Sequence, residues 1–161
     1  MNNKKTLFLT EAAVIAAIYT VLVVAFQPIS FGPIQFRIAE ALTILPFFSP
    51  AAIPGVTIGC FLSALFTGAD VLDMIFGSMA TLIAAFLSYK LRRHRFLVPI
   101  PPIVANALII PWVLRFAYDI PDAIPYMMLT VGIGEFLAVG LLGMLLLFAL
   151  DKVKHIIFKK M

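Results

Sequence analysis

The stretch Phe36-Arg37-Ile38-Ala39-Glu40-Ala41-Leu42-Thr43-Ile44-Leu45-Pro46-Phe47-Phe48 sets a base and an acid inside a run that otherwise reads as membrane-buried helix. A charge in hydrocarbon costs about 3 kcal/mol even on the milder scales, so such residues usually face a cavity or each other. The stretch is also short. A bilayer core of about 30 Å takes about 20 residues of α-helix to cross. Pro46 and Pro50 close the run, so it must be tilted into protein, broken, or continued by its neighbours. Two further ions, Arg115 and Glu135, interrupt other apolar segments. Two acids and two bases at similar depth point to a buried polar pocket for a small polar ligand.

Working outward, the rest of the chain is as apolar as this stretch. It has 161 residues, 63% hydrophobic and only 12% charged, with a mean hydropathy of +1.09. Soluble domains are about 45–50% apolar and about 25% charged. The chain therefore reads as an all-α membrane protein, with room for about six spans and none for a soluble catalytic or nucleotide-binding domain. The net charge of +4 does not signal nucleic-acid binding, because the basic residues are few and sit at helix ends. The lone cysteine, Cys60, lies in an apolar run and reads as a packing residue. The apolar run after Lys4-Lys5 is too long for a signal-peptide core and reads as a retained first span.

Proline, glycine and charge divide the chain into six apolar segments. They run about Leu7–Gln27, Phe36–Phe48, Ile53–Thr67, Val71–Tyr89, Phe96–Tyr118 and Ile124–Leu150. Ten of the twelve basic residues fall before the first, after the fourth or after the sixth: Lys4, Lys5, Lys90, Arg92, Arg93, Arg95, Lys152, Lys154, Lys159 and Lys160. Those three places share one side of a six-span chain. The other side receives Asp70, Asp73, Asp119 and Asp122 and no lysine. The positive-inside rule then predicts six transmembrane helices with both termini in the cytoplasm. Small residues recur every fourth position in span three (Gly55, Gly59, Ser63, Thr67) and span four (Gly77, Thr81, Ala85), a pattern that lets helix backbones approach closely.

With that orientation, Arg37 and Glu40 lie near the outer end of span two. Trp112 and Arg115 lie in the outer half of span five, with Asn106 near mid-depth. Tyr126 and Glu135 lie in the outer half of span six. Two readings of the four ions stand. Arg37–Glu40 and Arg115–Glu135 are ion pairs that pin helices together, or the ions mark a ligand site. In the second reading the acids accept from adjacent N–H donors and Arg or Asn donates to a carbonyl edge. Phe36, Trp112 and Tyr126 offer flat surfaces, as membrane-interface aromatics do in any case. Together these suit a small aromatic heterocycle. No metal-ligand spacing, phosphate-binding loop or nucleophile–base arrangement is present, so neither a metal nor a catalytic residue is expected. On span one, Ala12/Ala16 and Ala13/Ala17 form two A-x-x-x-A pairs, a smooth surface for a partner helix or for packing within the chain.

The segment from Arg37 to Phe48, with the following Ile53-Pro54-Gly55-Val56-Thr57-Ile58-Gly59-Cys60, resembles the QueT family of queuosine-precursor transporters. The likeness extends over essentially the whole chain, and the R-I-x-E-A-L-x-x-L-P pattern is its most specific part. It implies a substrate-binding S component of an energy-coupling factor transporter, a single membrane domain over residues 1–161 in a bacterial cell membrane. The partners it implies are a transmembrane coupling protein and two cytoplasmic ATPases. ATP is hydrolysed there, so no cofactor is expected in this chain. The cargo implied is a 7-deazaguanine-type precursor taken from outside. The resemblance makes Ala12, Ala13, Ala16 and Ala17 the docking surface and the linker Ile29–Gln35 an outer gate. The alternatives are an S component for another vitamin or nucleobase, a stand-alone gradient-driven carrier or channel, and a scaffold whose ions are structural only.

Overall fold

A computed structural model of the chain describes residues 3–30 and 36–157, and every regular element among them is helical. The long first helix, α1 (Asn3–Ala25), leads into a single turn, α2 (Gln27–Ser30). A 3-10 helix of ten residues follows (Ile38–Phe47), then α3 (Ala52–Thr67), α4 (Val71–Lys90) and α5 (Ile100–Ala117). The last helix begins as α6 (Ile124–Glu135), passes through a π-helical stretch (Phe136–Gly143) and continues as α7 (Met144–Ile157). Among the described residues, four helices are long and apolar enough to cross a membrane: Lys4–Ala25, Val71–Lys90, Arg95–Ala117 and Ile124–Ile156. The expected second and third spans are shorter, at 10 and 16 residues. Large apolar side chains such as Phe66, Phe116, Leu129 and Leu145 stand exposed on the outside, as lipid would favour and water would not. The expected gate, Ile29–Gln35, lies outside the described residues from position 31 onward, as do Lys159 and Lys160.

The turn between α3 and α4 follows from three residues. Gly68 takes a left-handed conformation (φ 69°) that costs glycine nothing. The next amide, Ala69 N, bonds back to Ala64 O at 2.9 Å and closes the helix end. Asp70 then caps α4, its Oδ1 accepting from Leu72 N at 2.8 Å. At this end of the bundle Asp70 N also donates to the Tyr118 hydroxyl at the close of α5 (3.2 Å). At the other end Arg95 reaches Asp151 of α7 (3.8 Å) and Phe96 packs edge-on to Phe148. The basic segments after α4 and within α7 therefore meet at one end, as the charge pattern predicts.

Two close contacts set the middle of the bundle. α1 lies against α3 at Gly55 and Gly59. A Cβ at Gly59 would stand 2.7 Å from Tyr19 Cβ, and one at Gly55 would stand 2.9 Å from Ile15 Cβ. The glycine ladder thus does what its spacing predicts. The second contact joins the 3-10 helix to the π-helical stretch, where a Cβ at Gly143 would meet Ile44 Cγ2 at 3.1 Å. Residues Ala39 to Pro46 are all buried, so the short helix is enclosed by protein on every side. α1, α3 and α4 also pack on it. Its ten residues reach about 20 Å at the 3-10 rise of about 2 Å each, against about 15 Å for an α-helix.

Gly59→Ala is expected to lower the unfolding temperature in detergent, with a loss of about 1–3 kcal/mol from overpacking. Gly132→Ala, where the nearest atom would be Ala107 Cβ at 3.7 Å, is expected to change it little. Thermal unfolding of the two variants side by side checks this.

Candidate functional site

The enclosed 3-10 helix carries Glu40 into the protein interior, where the residue is 1% exposed. Its Oε1 accepts a hydrogen bond from the hydroxyl of Tyr19, itself fully buried on α1, at 2.5 Å. Its other oxygen, Oε2, has no partner. From the far side, α6 brings Glu135 and α5 brings Asn106, both buried. Glu135 lies within electrostatic range of Glu40 and Arg37, with the Asn106 amide beside it. Yet neither Asn106 Nδ2 nor Glu135 Oε2 completes a hydrogen bond. Three elements thus bring together two carboxylates and one amide, all buried and each with one atom unmatched. Leaving such a group unmade costs about 1–3 kcal/mol, more for a charged one. A buried orphan of this kind calls for an explanation, and a ligand is one.

Beside this set runs a second. Arg37, just before the 3-10 helix, pairs with Asp73 one turn into α4 (Nη2 to Oδ2, 3.9 Å). The Tyr118 hydroxyl donates to the same Asp73 oxygen at 3.0 Å. This corrects one expectation: Arg37 makes its ion pair across to α4 rather than along its own helix with Glu40. Asp73 is buried. A space of about 10 Å³ between Tyr19, Arg37, Cys60, Ser63 and Asp73 holds about one water. A flat bicyclic base therefore cannot enter beside Tyr19 unless the surrounding helices part.

Several predicted residues stand elsewhere. Arg115 is exposed, and its Nη1 donates to Ile120 O at 3.0 Å, closing the end of α5; it does not pair with Glu135. Trp112 and Tyr126 are 49% and 57% exposed on the outer surface, the former stacked on Phe116 at 6.3 Å. Phe36 is half-buried and packs against the main core. The reason is rotational. Arg115 is nine residues from Asn106, and Tyr126 is nine residues from Glu135. Nine residues make about 2.5 turns, which puts each pair on opposite faces of its helix. Counting along a span does not set the direction in which a side chain faces. Tyr19 was not singled out from sequence, although it continues the Ala12–Ile15–Ala16 face that the glycines of α3 require.

The alanines of α1 also divide. Ala12 and Ala16 are buried, and their carbonyl oxygens would lie 3.0 Å from a Cβ at Gly55 and Gly59. That strip is consumed by packing within the chain. Ala13 and Ala17 are exposed and remain open to a partner. No group of three or more metal-ligating side chains occurs among the described residues.

A sequence profile described as the QueT transporter matches residues 9–152. The Queuosine precursor transporter QueT of Lactococcus lactis subsp. cremoris (strain MG1363) is 40% identical over 90 residues, 55% of this chain and 52% of that protein. The match thus spans about half the length of the curated relative. No solved structure matches.

Removing the Asp73 carboxylate takes an ion-pair partner from Arg37, whose side chain is only 12% exposed. Breaking a buried pair this way costs about 3–5 kcal/mol. Asp70→Ala removes only a helix cap, at a cost of about 0.5–2 kcal/mol. Asp73→Ala is accordingly expected to lower the unfolding temperature further than Asp70→Ala, as thermal unfolding of both variants will show.

Proposed function

The chain belongs to the QueT transporter family, and from that premise we propose that it is the substrate-binding S component of an ATP-driven importer, capturing a 7-deazaguanine-type queuosine precursor. It is a multi-pass membrane protein. In this reading it forms one domain with six crossings and both termini in the cytoplasm of a bacterial cell. A transmembrane coupling protein and two cytoplasmic ATPases supply the energy.

One observation carries the assignment of the site: the unmatched atoms Glu40 Oε2, Glu135 Oε2 and Asn106 Nδ2. Their inventory is complementary to a guanine-like edge. The carboxylates accept from adjacent N–H groups, and the amide donates to the ring carbonyl. Charge-assisted bonds of this kind are shorter and stronger than neutral ones. Arg37, held by Asp73, keeps positive charge near the two acids without spending their free oxygens. Phe36 remains the predicted aromatic nearest the 3-10 helix. Trp112, Arg115 and Tyr126 have no part in binding in this reading. Entry of the base parts the helices around the 3-10 segment.

Calorimetry on the purified chain tests this with a 7-deazaguanine base. Glu40→Gln and Glu135→Gln are each expected to weaken binding at least about tenfold, equivalent to about 1.4 kcal/mol. Arg115→Gln should leave it within twofold. If neither acid matters, the site is wrongly placed. Uptake into liposomes by the chain alone, without ATPase subunits, would favour a stand-alone carrier instead.

Docking generates a separate expectation. Ala13→Trp and Ala17→Trp place bulk on the open strip of α1. They should preserve ligand binding and abolish uptake in vesicles that also hold the partner subunits. Ala12→Trp should instead fail to fold, because that face lies against α3. Binding and uptake assays on the same preparations separate the two outcomes.

A further inference from the structure

We propose that Tyr19 is the positioning residue of the ligand site, and that its hydroxyl decides which oxygen of Glu40 is offered to the cargo. The inference rests on the site assignment above and goes beyond it, since Tyr19 touches no ligand in this reading.

Glu40 has two ways to satisfy its carboxylate from within the protein. Arg37 lies three residues earlier and acts on it electrostatically. A guanidinium takes a carboxylate by both oxygens when the geometry allows, which would occupy an acceptor site on each. Tyr19 offers a single O–H instead. It binds Oε1 at 2.5 Å and leaves Oε2 without a partner. Asp73 engages Arg37 from α4 and so competes with its pull on Glu40.

Tyr19 is itself held in register. Its Cβ sits where α1 and α3 approach most closely, so close that any side chain at Gly59 would collide with it. The next residue, Thr20, donates from Oγ1 to Gly59 O at 3.2 Å and to Ala16 O at 2.8 Å. The ring is fully buried. A fixed backbone contact is thereby converted into a fixed carboxylate orientation, which is how a supporting side chain pre-organises a binding group.

The test uses two bases and the full chain in detergent. The first is a 7-deazaguanine; the second is the matching 7-deazahypoxanthine, which lacks the exocyclic amine. The wild type is expected to prefer the amine-bearing base at least tenfold. Tyr19→Phe should lose about tenfold in affinity for that base and less than twofold for the other, so discrimination collapses. A loss equal for both bases, or none, overturns the positioning role while leaving the site assignment intact. If the wild type binds neither base, the site assignment fails first. Should Tyr19→Phe not fold, p-aminophenylalanine and p-methylphenylalanine at position 19 fill the same volume with and without a donor. Discrimination kept with the amine and lost with the methyl supports the proposal. The same result for both overturns it.

Discussion

Ten residues of 3-10 helix reach about 20 Å, and the hydrocarbon core they sit in is about 30 Å thick. Inside that core each backbone N–H and C=O must find a partner within the protein. A 3-10 helix makes its bonds with poorer geometry than an α-helix and rarely runs beyond a few residues. Such an element survives only if other helices enclose it. α1, α3 and α4 pack on the segment Ile38–Phe47 from one side and the π-helical stretch Phe136–Gly143 from the other. Glycine permits the closest of these approaches, at Gly143 beside Ile44. The enclosure that protects the backbone also carries Glu40 to the centre of the bundle, remote from both lipid and water.

That placement bears on what the buried acids are for. Ions kept only to fix helix registry are expected to pair with one another, because an unpaired buried charge is costly. Arg37 and Asp73 meet that description, with Tyr118 as a further partner. Glu40 and Glu135 do not. Each keeps one oxygen unmatched although Arg37 is near enough to act on both. The proposed site takes those two oxygens as acceptors awaiting donors on a ligand. The ion pair that does form, Arg37–Asp73, is neither of the two expected from sequence, Arg37–Glu40 and Arg115–Glu135.

The sequence made the elements legible because breaking signals in a membrane chain are strong. Gly68 and Asp70 mark the turn between α3 and α4, and the basic block from Lys90 to Arg95 separates α4 from α5. The glycine ladder of α3 is readable as a contact. Depth follows from counting residues along a span, while facing depends on where each neighbouring helix lies. For Arg115 and Tyr126 the nine-residue spacing carries that information. Asp73 has no such signal: in the first turn of α4, its pairing with Arg37 depends on how the 3-10 helix lies against α4. The π-helical stretch left no signal in composition; Gly140 and Gly143 permit close approach without announcing the extra residue per turn.

The buried strip of α1, Ala12, Ile15, Ala16 and Tyr19, is specified by contact with α3 and ends at Glu40. Its open strip, Ala13 and Ala17, is exposed. The two strips are one residue apart in sequence and about 100° apart around the helix, so they cannot move independently. Any partner that tilts or turns α1 through its open strip must also move the Tyr19 hydroxyl relative to Glu40. A shift of about 1 Å suffices, because a hydrogen bond at 2.5 Å leaves the bonding range by about 3.5 Å. In the proposed importer, the face of α1 that positions the carboxylate is therefore mechanically tied to the face a partner would grip.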